Sequence, residues 1–324
     1  MEASRVPFVC PLHYAPLTDI VAAGVCHPLR NTNKPERQAT WASQKAVRLN
    51  KLLCAFPGRL SMTTPMSPSS RKGIGLALSG GAARGIAHIA VLEVLEQDDI
   101  PIQAIAGTSA GSIVGALYAA GMPLAEIERV LLHAKWRDIL SFSIPKMGLI
   151  SSEGIFQFME EVLPVKKFSA LSIPLAVVAA DLRSAEKVVL TTGSIARAVQ
   201  ASCSLPVIFT PTEVNRRILV DGGVASQVPV RAVREELGVK RVVAVNVNYR
   251  AFETERFDSV IKVATHLSMM WASRNAREEE KLADVVIPVD AKGISLYDLS
   301  KAKELLRRGR KAAEDKLDEI RRLR

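Results

Sequence analysis

The chain has 324 residues, 48% of them hydrophobic, and a formal net charge of +10. That is ample material for a large core, yet no run reaches the ~18–20 apolar residues that a membrane-spanning helix needs. The charge sits at the ends: residues 1–72 hold 10 Lys and Arg against 3 Asp and Glu, and residues 301–324 hold 10 against 5. Basic ends around a mildly acidic middle favour peripheral contact with an anionic membrane over a nucleic-acid groove built into the fold. No nucleic-acid partner is expected, and tails that are merely solvated are the plainer alternative. Cys10, Cys26, Cys54 and Cys203 form no C-x-x-C pair and have no histidine at metal-ligand spacing. No zinc site or disulfide framework is therefore expected, and a reducing, cytoplasmic setting is.

Residues 1–72 are poorly patterned and end in a linker-like stretch, 61–72. Met62 and Met66 are alternative candidate starts, and no secretory signal is expected at the N-terminus. Order begins at Gly73, where GIGLALS (73–79) predicts a buried strand, followed by SGGAARG (79–85) and an amphipathic helix over 86–97. A glycine-rich loop between strand and helix presents unobstructed N–H groups at the positive end of a helix dipole, so it can cradle an anion. Ala82 and Ala83 in its middle make it neither a phosphate-binding P-loop nor a clean dinucleotide fingerprint.

The next unit reads IQAIA (102–106) as a strand, GTSAG (107–111) as a sharp turn and 112–121 as a helix. A serine between two glycines at a strand-to-helix junction has the pattern of a nucleophile elbow, with Gly107 and Gly111 giving the turn its room. The bland alternative is an ordinary turn whose Ser109 caps the helix. An anion cradle beside an exposed serine is what acyl transfer requires. The candidate oxyanion donors are the amides of Gly80, Gly81, Ala82 and Ala110. Arg84 and Gly85 are read as shaping the loop or meeting a ligand head group.

A helix is predicted over 122–134, and residues 135–172, with Trp136 and an amphipathic stretch at 153–163, read as a wall or cap. Strands are predicted at 175–181 and, as its partner, 187–190, with a helix over 194–202 and a proline-containing loop at 202–211. A strand over 216–223 ends in Asp221-Gly222-Gly223, which places a carboxylate at a strand end or else only makes a hairpin turn. Further strands are expected at 241–247 and 284–290, a long amphipathic helix over 257–272 between them, and a charged helix over 296–323. Strands apolar on both faces and alternating with helices indicate an α/β fold around a mostly parallel sheet.

Serine usually needs a histidine base. His13 and His27 lie in the unpatterned arm, and His88, His133 and His266 fall inside predicted helices. By elimination Asp221 is the better candidate, because partial desolvation raises a carboxylate's proton affinity.

Three motifs in order, the glycine loop with its arginine (80–85), the Gly-X-Ser-X-Gly elbow and the Asp-Gly-Gly, resemble the patatin-like phospholipases in their bacterial form. The loop with Ser202, Ser204 and Pro206 looks like the family's Ser-rich proline turn, and the similarity covers about residues 73–290. The resemblance implies a three-layer α/β/α sandwich without metal or cofactor. It also implies hydrolysis of (lyso)phospholipid or related esters by a Ser109–Asp221 dyad with a glycine-loop oxyanion hole. It divides the chain into an extension (1–72), a catalytic domain (73–290) and a basic helical segment (291–324). Ala82 departs from the family's third successive glycine, and a positive φ there is costly for alanine. A catalytically weak or inactive regulatory relative of the same fold, or a phosphate- or nucleotide-binding protein, are the other readings.

Overall fold

The computed structural model describes residues 73–134, 150–251 and 259–323. The expectations for residues 1–72 and for 135–149 of the cap, Trp136 included, lie outside them. Among the described residues the strands are β1 (Ile74–Leu78), β2 (Ile102–Thr108), β3 (Leu175–Asp181), β4 (Lys187–Leu190), β5 (Thr212–Val214), β6 (Arg217–Asp221), β7 (Val242–Tyr249) and β8 (Val285–Asp290). They form one mixed sheet in the order β5-β6-β3-β2-β1-β7-β8, with β4 also pairing β3. The pairs β3–β2, β2–β1, β1–β7 and β7–β8 are parallel, whereas β4, β5 and β6 run antiparallel to their neighbours.

The helices are α1 (Ala87–Gln97), α2 (Ala110–Ala119), α3 (Leu124–His133), α4 (Glu153–Val162), α5 (Ile195–Ser202), α6 (Val260–Glu280), α7 (Ala302–Glu314) and α8 (Leu317–Arg321). Side chains alternate between the two faces of each strand. Leu76 and Leu78 of β1 join Leu92 of α1, Leu117 of α2, Ile195 of α5 and Leu305 of α7 on one side. Ala77, Ala104, Ala106 and Val178 meet Val230, Val233 and Ala276 of α6 on the other. Helices thus cover both faces, giving the α/β/α sandwich. The second face is lined by small residues, so its covering segments approach the sheet closely.

Four elements differ from the sequence reading. The last helix is not continuous over 296–323, because it divides between α7 and α8 around Asp315 and Lys316. The long helix runs on to Glu280, since its buried positions are Thr265, Ala272, Ala276 and Glu279 rather than large apolar residues. The short polar strand β5 and a single π-turn at Ala232–Glu236 carry no apolar periodicity from which to read them.

The basic C-terminal segment is packed onto the core. Leu305 and Ile320 are fully buried, Arg310 pairs with Glu93 and Arg321 with Asp98, and a Cβ on Gly309 would stand 2.5 Å from the Ala87 carbonyl oxygen. Leu305→Ala should therefore cost about 2–5 kcal/mol in a urea titration, whereas the same change at the partly exposed Leu299 should leave the midpoint nearly unchanged.

Candidate active site

The glycine loop and the serine turn both lie where strands β1 and β2 end, beside the point at which the sheet order reverses between β1 and β7. Crevices at such switch points are where α/β sheets bind ligands. The turn at Ser109 is dictated by steric closeness. A Cβ on Gly111 would lie 2.3 Å from the Leu78 carbonyl oxygen, and one on Gly107 would lie 2.6 Å from the Gly111 carbonyl oxygen. With both flanking positions reduced to glycine, the turn closes and Ser109 takes φ 49° and ψ −121°, a left-handed conformation costing on the order of 1–3 kcal/mol. Ser109 does not cap α2 with its side chain, so the bland reading of the turn is set aside.

The strained turn is held from outside. The Ser109 N–H donates to Ser202 Oγ at 2.8 Å, and Ser202 Oγ donates onward to the Val178 carbonyl at 2.6 Å. Ser204 completes a second tie, its carbonyl accepting the Asp221 N–H at 2.9 Å. One short loop therefore fixes both the serine and the aspartate.

Asp221 ends β6, and a Cβ on Gly222 would come within 2.2 Å of the Val178 carbonyl oxygen, so the turn lies flat against β3. The Asp221 carboxylate is buried and accepts the Gly223 N–H at 2.7 Å. Burial pushes its pKa up to about 6, against the opposing effect of hydrogen bonds from Ser109 and Gly223. The Ser109 hydroxyl thus lies close enough to the Asp221 carboxylate to favour its charged form. Cys203 is buried beside them, and burial and the Asp221 charge raise its thiol pKa, keeping it protonated.

The glycine loop needs one correction. The Gly80 N–H already donates to the Gln227 carbonyl at 3.1 Å, which removes it from the expected donors. Its missing side chain matters instead, since a Cβ there would stand 3.2 Å from Ser109 Cβ and 2.9 Å from Gln227 Oε1. The amides of Ala83 and Arg84 are likewise engaged, by the carbonyls of Leu296 and Gly81 at 3.0 and 2.9 Å. Those of Gly81, Ala82 and Ala110 have no acceptor among the described residues. Ala82 adopts φ 45°, the left-handed conformation an alanine takes at a cost of roughly 1–2 kcal/mol.

Arg84 is not solvated on a helix surface. It is buried, with Nε and Nη2 donating to the Ile294 carbonyl at 3.1 and 2.8 Å and Nη1 donating to Asn248 Oδ1 at 3.1 Å. Asn248 Nδ2 donates in turn to the Gly80 carbonyl at 2.7 Å. This favours the loop-shaping role, and Gly85 serves it by admitting Ala110, whose Cβ a Gly85 side chain would approach to 2.4 Å. Among the histidines, His88 is buried, donates from Nε2 to the Ser79 carbonyl at 2.9 Å, and is pushed down to about 4 by burial. It is a neutral support beneath the loop. His133 bonds the Arg129 carbonyl of its own helix. Among the described residues no three of His, Cys, Asp and Glu gather to hold a metal ion.

The patatin-like phospholipase family model matches residues 76–234, the span that holds the loop, the elbow and Asp221. These residues form a patatin-like phospholipase domain. The patatin-like chain is 30% identical over 219 residues to an uncharacterised NTE family protein of Mycobacterium tuberculosis, covering 67% of this chain and 59% of that one. It is 32% identical over 180 residues to lysophospholipase NTE1 of Cryptococcus neoformans, covering 54% of this chain and 11% of the fungal one. The match thus spans little more than half the length of the mycobacterial relative. The patatin-like fold is also that of VipD from Legionella pneumophila, with a TM-score of 0.51 at 14% identity over 83% of this chain and 72% of that one.

Asn248 and Gln227 were not singled out from the sequence. The polar ending of the otherwise apolar strand β7 was the available signal for Asn248. Ser202 was visible only as part of a loop, and its bond to Ser109 gives it a specific role in holding the turn. Ser202→Ala, which leaves the Ser109 amide without its acceptor, should lower the unfolding free energy by about 1–3 kcal/mol, and Ser202→Thr should recover part of that loss in chemical denaturation.

The raised pKa of Asp221 has a sign that can be tested. The native carboxyl retains its proton between pH 3.8 and about 6, where the unfolded one has lost it. The native state therefore binds more protons in that window, and its stability falls as pH rises, by on the order of 3 kcal/mol in all. Asp221→Asn retains an acceptor for Gly223 and escapes this loss. Its melting temperature should exceed that of the wild type at pH 8, and the gap should close below pH 4.

Proposed function

We propose that the chain is a serine-dependent acyl hydrolase acting on carboxylic esters of lysophospholipids, phospholipids or related lipids. The observation that carries this reading is that one loop, through Ser202 and Ser204, seats the strained Ser109 turn beside the buried Asp221. As Ser109 Oγ attacks the ester carbonyl carbon, Asp221 takes the hydroxyl proton. The carbonyl electrons move to oxygen, where the amides of Gly81, Ala82 and Ala110 and the N-terminal dipole of α2 stabilise the charge. Collapse breaks the bond to the alcohol oxygen, which receives the proton from Asp221. Water then attacks the acyl-serine, Asp221 again accepts and returns the proton, and the fatty acid leaves. Desolvation makes the carboxylate a stronger base than a free aspartate while leaving it ionised at neutral pH.

The lipid substrate class is supported by the domain and by the lysophospholipase name of the fungal relative. No helix among the described residues is long and apolar enough to cross a membrane. An inactive regulatory protein of the same fold was the alternative raised by Ala82. That residue nonetheless holds the left-handed conformation with its amide unpaired, which favours the active reading.

Wild type should be labelled by a fluorophosphonate and should hydrolyse p-nitrophenyl acyl esters, with an acylation rate that rises with pH through about 6. Ser109→Ala should abolish labelling, and both it and Asp221→Asn should lose roughly three or more orders of magnitude in turnover. Full activity in a folded Asp221→Asn would place the base elsewhere, and a folded wild type that neither labels nor turns over would sink the hydrolase reading.

A further inference from the structure

Gln227 borders the crevice without a part in the acyl-transfer steps. Its backbone is pinned from three directions. The Gln227 carbonyl accepts the Gly80 N–H at 3.1 Å. The preceding Ser226 accepts Thr108 Oγ1 at its carbonyl at 2.8 Å, and its own hydroxyl donates to Glu279 of α6. Thr108 is the neighbour of Ser109, so Gln227 is fixed against the serine turn and the glycine loop at once, on the segment that leaves Asp221.

The Gln227 side chain is buried, and its partner sets the orientation of its amide. Nε2 donates to the Gly80 carbonyl at 3.3 Å, an oxygen that can only accept. Oε1 is then the atom that meets the two glycine gaps of the crevice. A Cβ on Gly223 would lie 2.5 Å from Gln227 Oε1 and 3.0 Å from Asp221 Oδ1, and a Cβ on Gly80 would lie 2.9 Å from the same Oε1 and 3.2 Å from Ser109 Cβ. Oε1 thus stands near both the aspartate and the serine, within reach of one bridging water from Asp221. It accepts no hydrogen bond among the described residues. Nor is it sealed off, for the enclosed polar side-chain atoms without a partner are His88 Nδ1 and Thr265 Oγ1.

An uncharged acceptor at this place suits the second half of the reaction. Water carries two protons, and its attacking lone pair is aimed only when both are held. Asp221 can hold one of them. A second carboxylate for the other would repel the Asp221 charge and raise its proton affinity, which an amide oxygen does not.

We propose that Gln227 Oε1 and the Asp221 carboxylate together hold and aim the water that releases the acyl group. The proposal rests on the acyl-hydrolase reading. One water O–H donates to Gln227 Oε1 and stays intact. The other gives its proton to Asp221 as the water oxygen bonds to the acyl carbon. The bond from that carbon to Ser109 Oγ then breaks, Ser109 Oγ takes the proton from Asp221, and the fatty acid leaves with the water oxygen. Acylation makes no such demand, since Ser109 Oγ carries one proton and is placed by its own turn.

The test is competition for the acyl group between water and added methanol, read as the ratio of methyl ester to free acid formed from a p-nitrophenyl ester. Methanol has one proton to give and needs Asp221 alone. In Gln227→Met, which keeps the bulk, and in Gln227→Asn, which draws the amide back by one methylene, the ratio should rise about tenfold or more over wild type. Acyl-enzyme should accumulate in intact-mass spectra of both variants, while the rate of fluorophosphonate labelling stays within a few-fold of wild type. An unchanged ratio in a folded variant overturns the proposal. So does an equal loss of labelling and turnover, which loosening of the glycine loop alone would produce. Either result leaves the hydrolase reading standing, whereas a folded wild type that neither labels nor turns over removes both.

Discussion

Between the first turn of α2 and the carbonyls of Leu78 and Ser79 there is no room for a side chain. A Cβ on Gly111 would lie 2.3 and 2.6 Å from their oxygens. That backbone approach seats the positive end of α2 against the end of β1, beside the glycine loop. It leaves Ser109 nowhere to go but the left-handed region, and from there the hydroxyl faces the crevice. The strain is tolerable because the elements around it are rigid and because Ser202 holds the Ser109 amide from the neighbouring loop. The glycines are thus a geometric condition of the site, and the hydrogen bonds of the 202–204 loop are what keep it in place.

The same crevice sets stability against chemistry. Asp221 ionises at neutral pH in a buried position where the charge is costly, relieved by Ser109 and the Gly223 amide. Ala82 adds a second local cost through its φ of 45°. Such costs have to be met elsewhere in the fold. The close-packed sandwich supplies that support: apolar strands buried on both faces, small residues where α6 and the 228–239 segment press on the sheet, and α7 docked against α1.

The parallel strands were legible because each is a short apolar run bounded by glycine, proline or charge, and the fold class followed from their alternation with helices. The serine and aspartate were legible as motifs, since sharp turns demand glycine at fixed offsets. What sequence could not carry was long-range pairing. The Gly80 amide looked as available as its neighbours until a partner 147 positions away, Gln227, was found to occupy it. Arg84 read as either loop-shaping or ligand contact because its acceptors, Asn248 and Ile294, come from the other end of the chain. Helix α6 was read short because it docks through small residues and one carboxylate, whereas its conspicuous apolar positions face outward.

Ser109 follows β2, but Asp221 arrives only with β6, which must fold back antiparallel along β3 before the carboxylate reaches the hydroxyl. During synthesis the elbow therefore emerges more than a hundred residues ahead of its partner. Both ties that seat the pair, through Ser202 and Ser204, also belong to the later segment. Contacts so distant along the chain are made late in folding. On the proposed mechanism, a nascent or truncated chain that exposes the serine would have no base beside it, and the chemistry would be withheld until the domain is nearly complete.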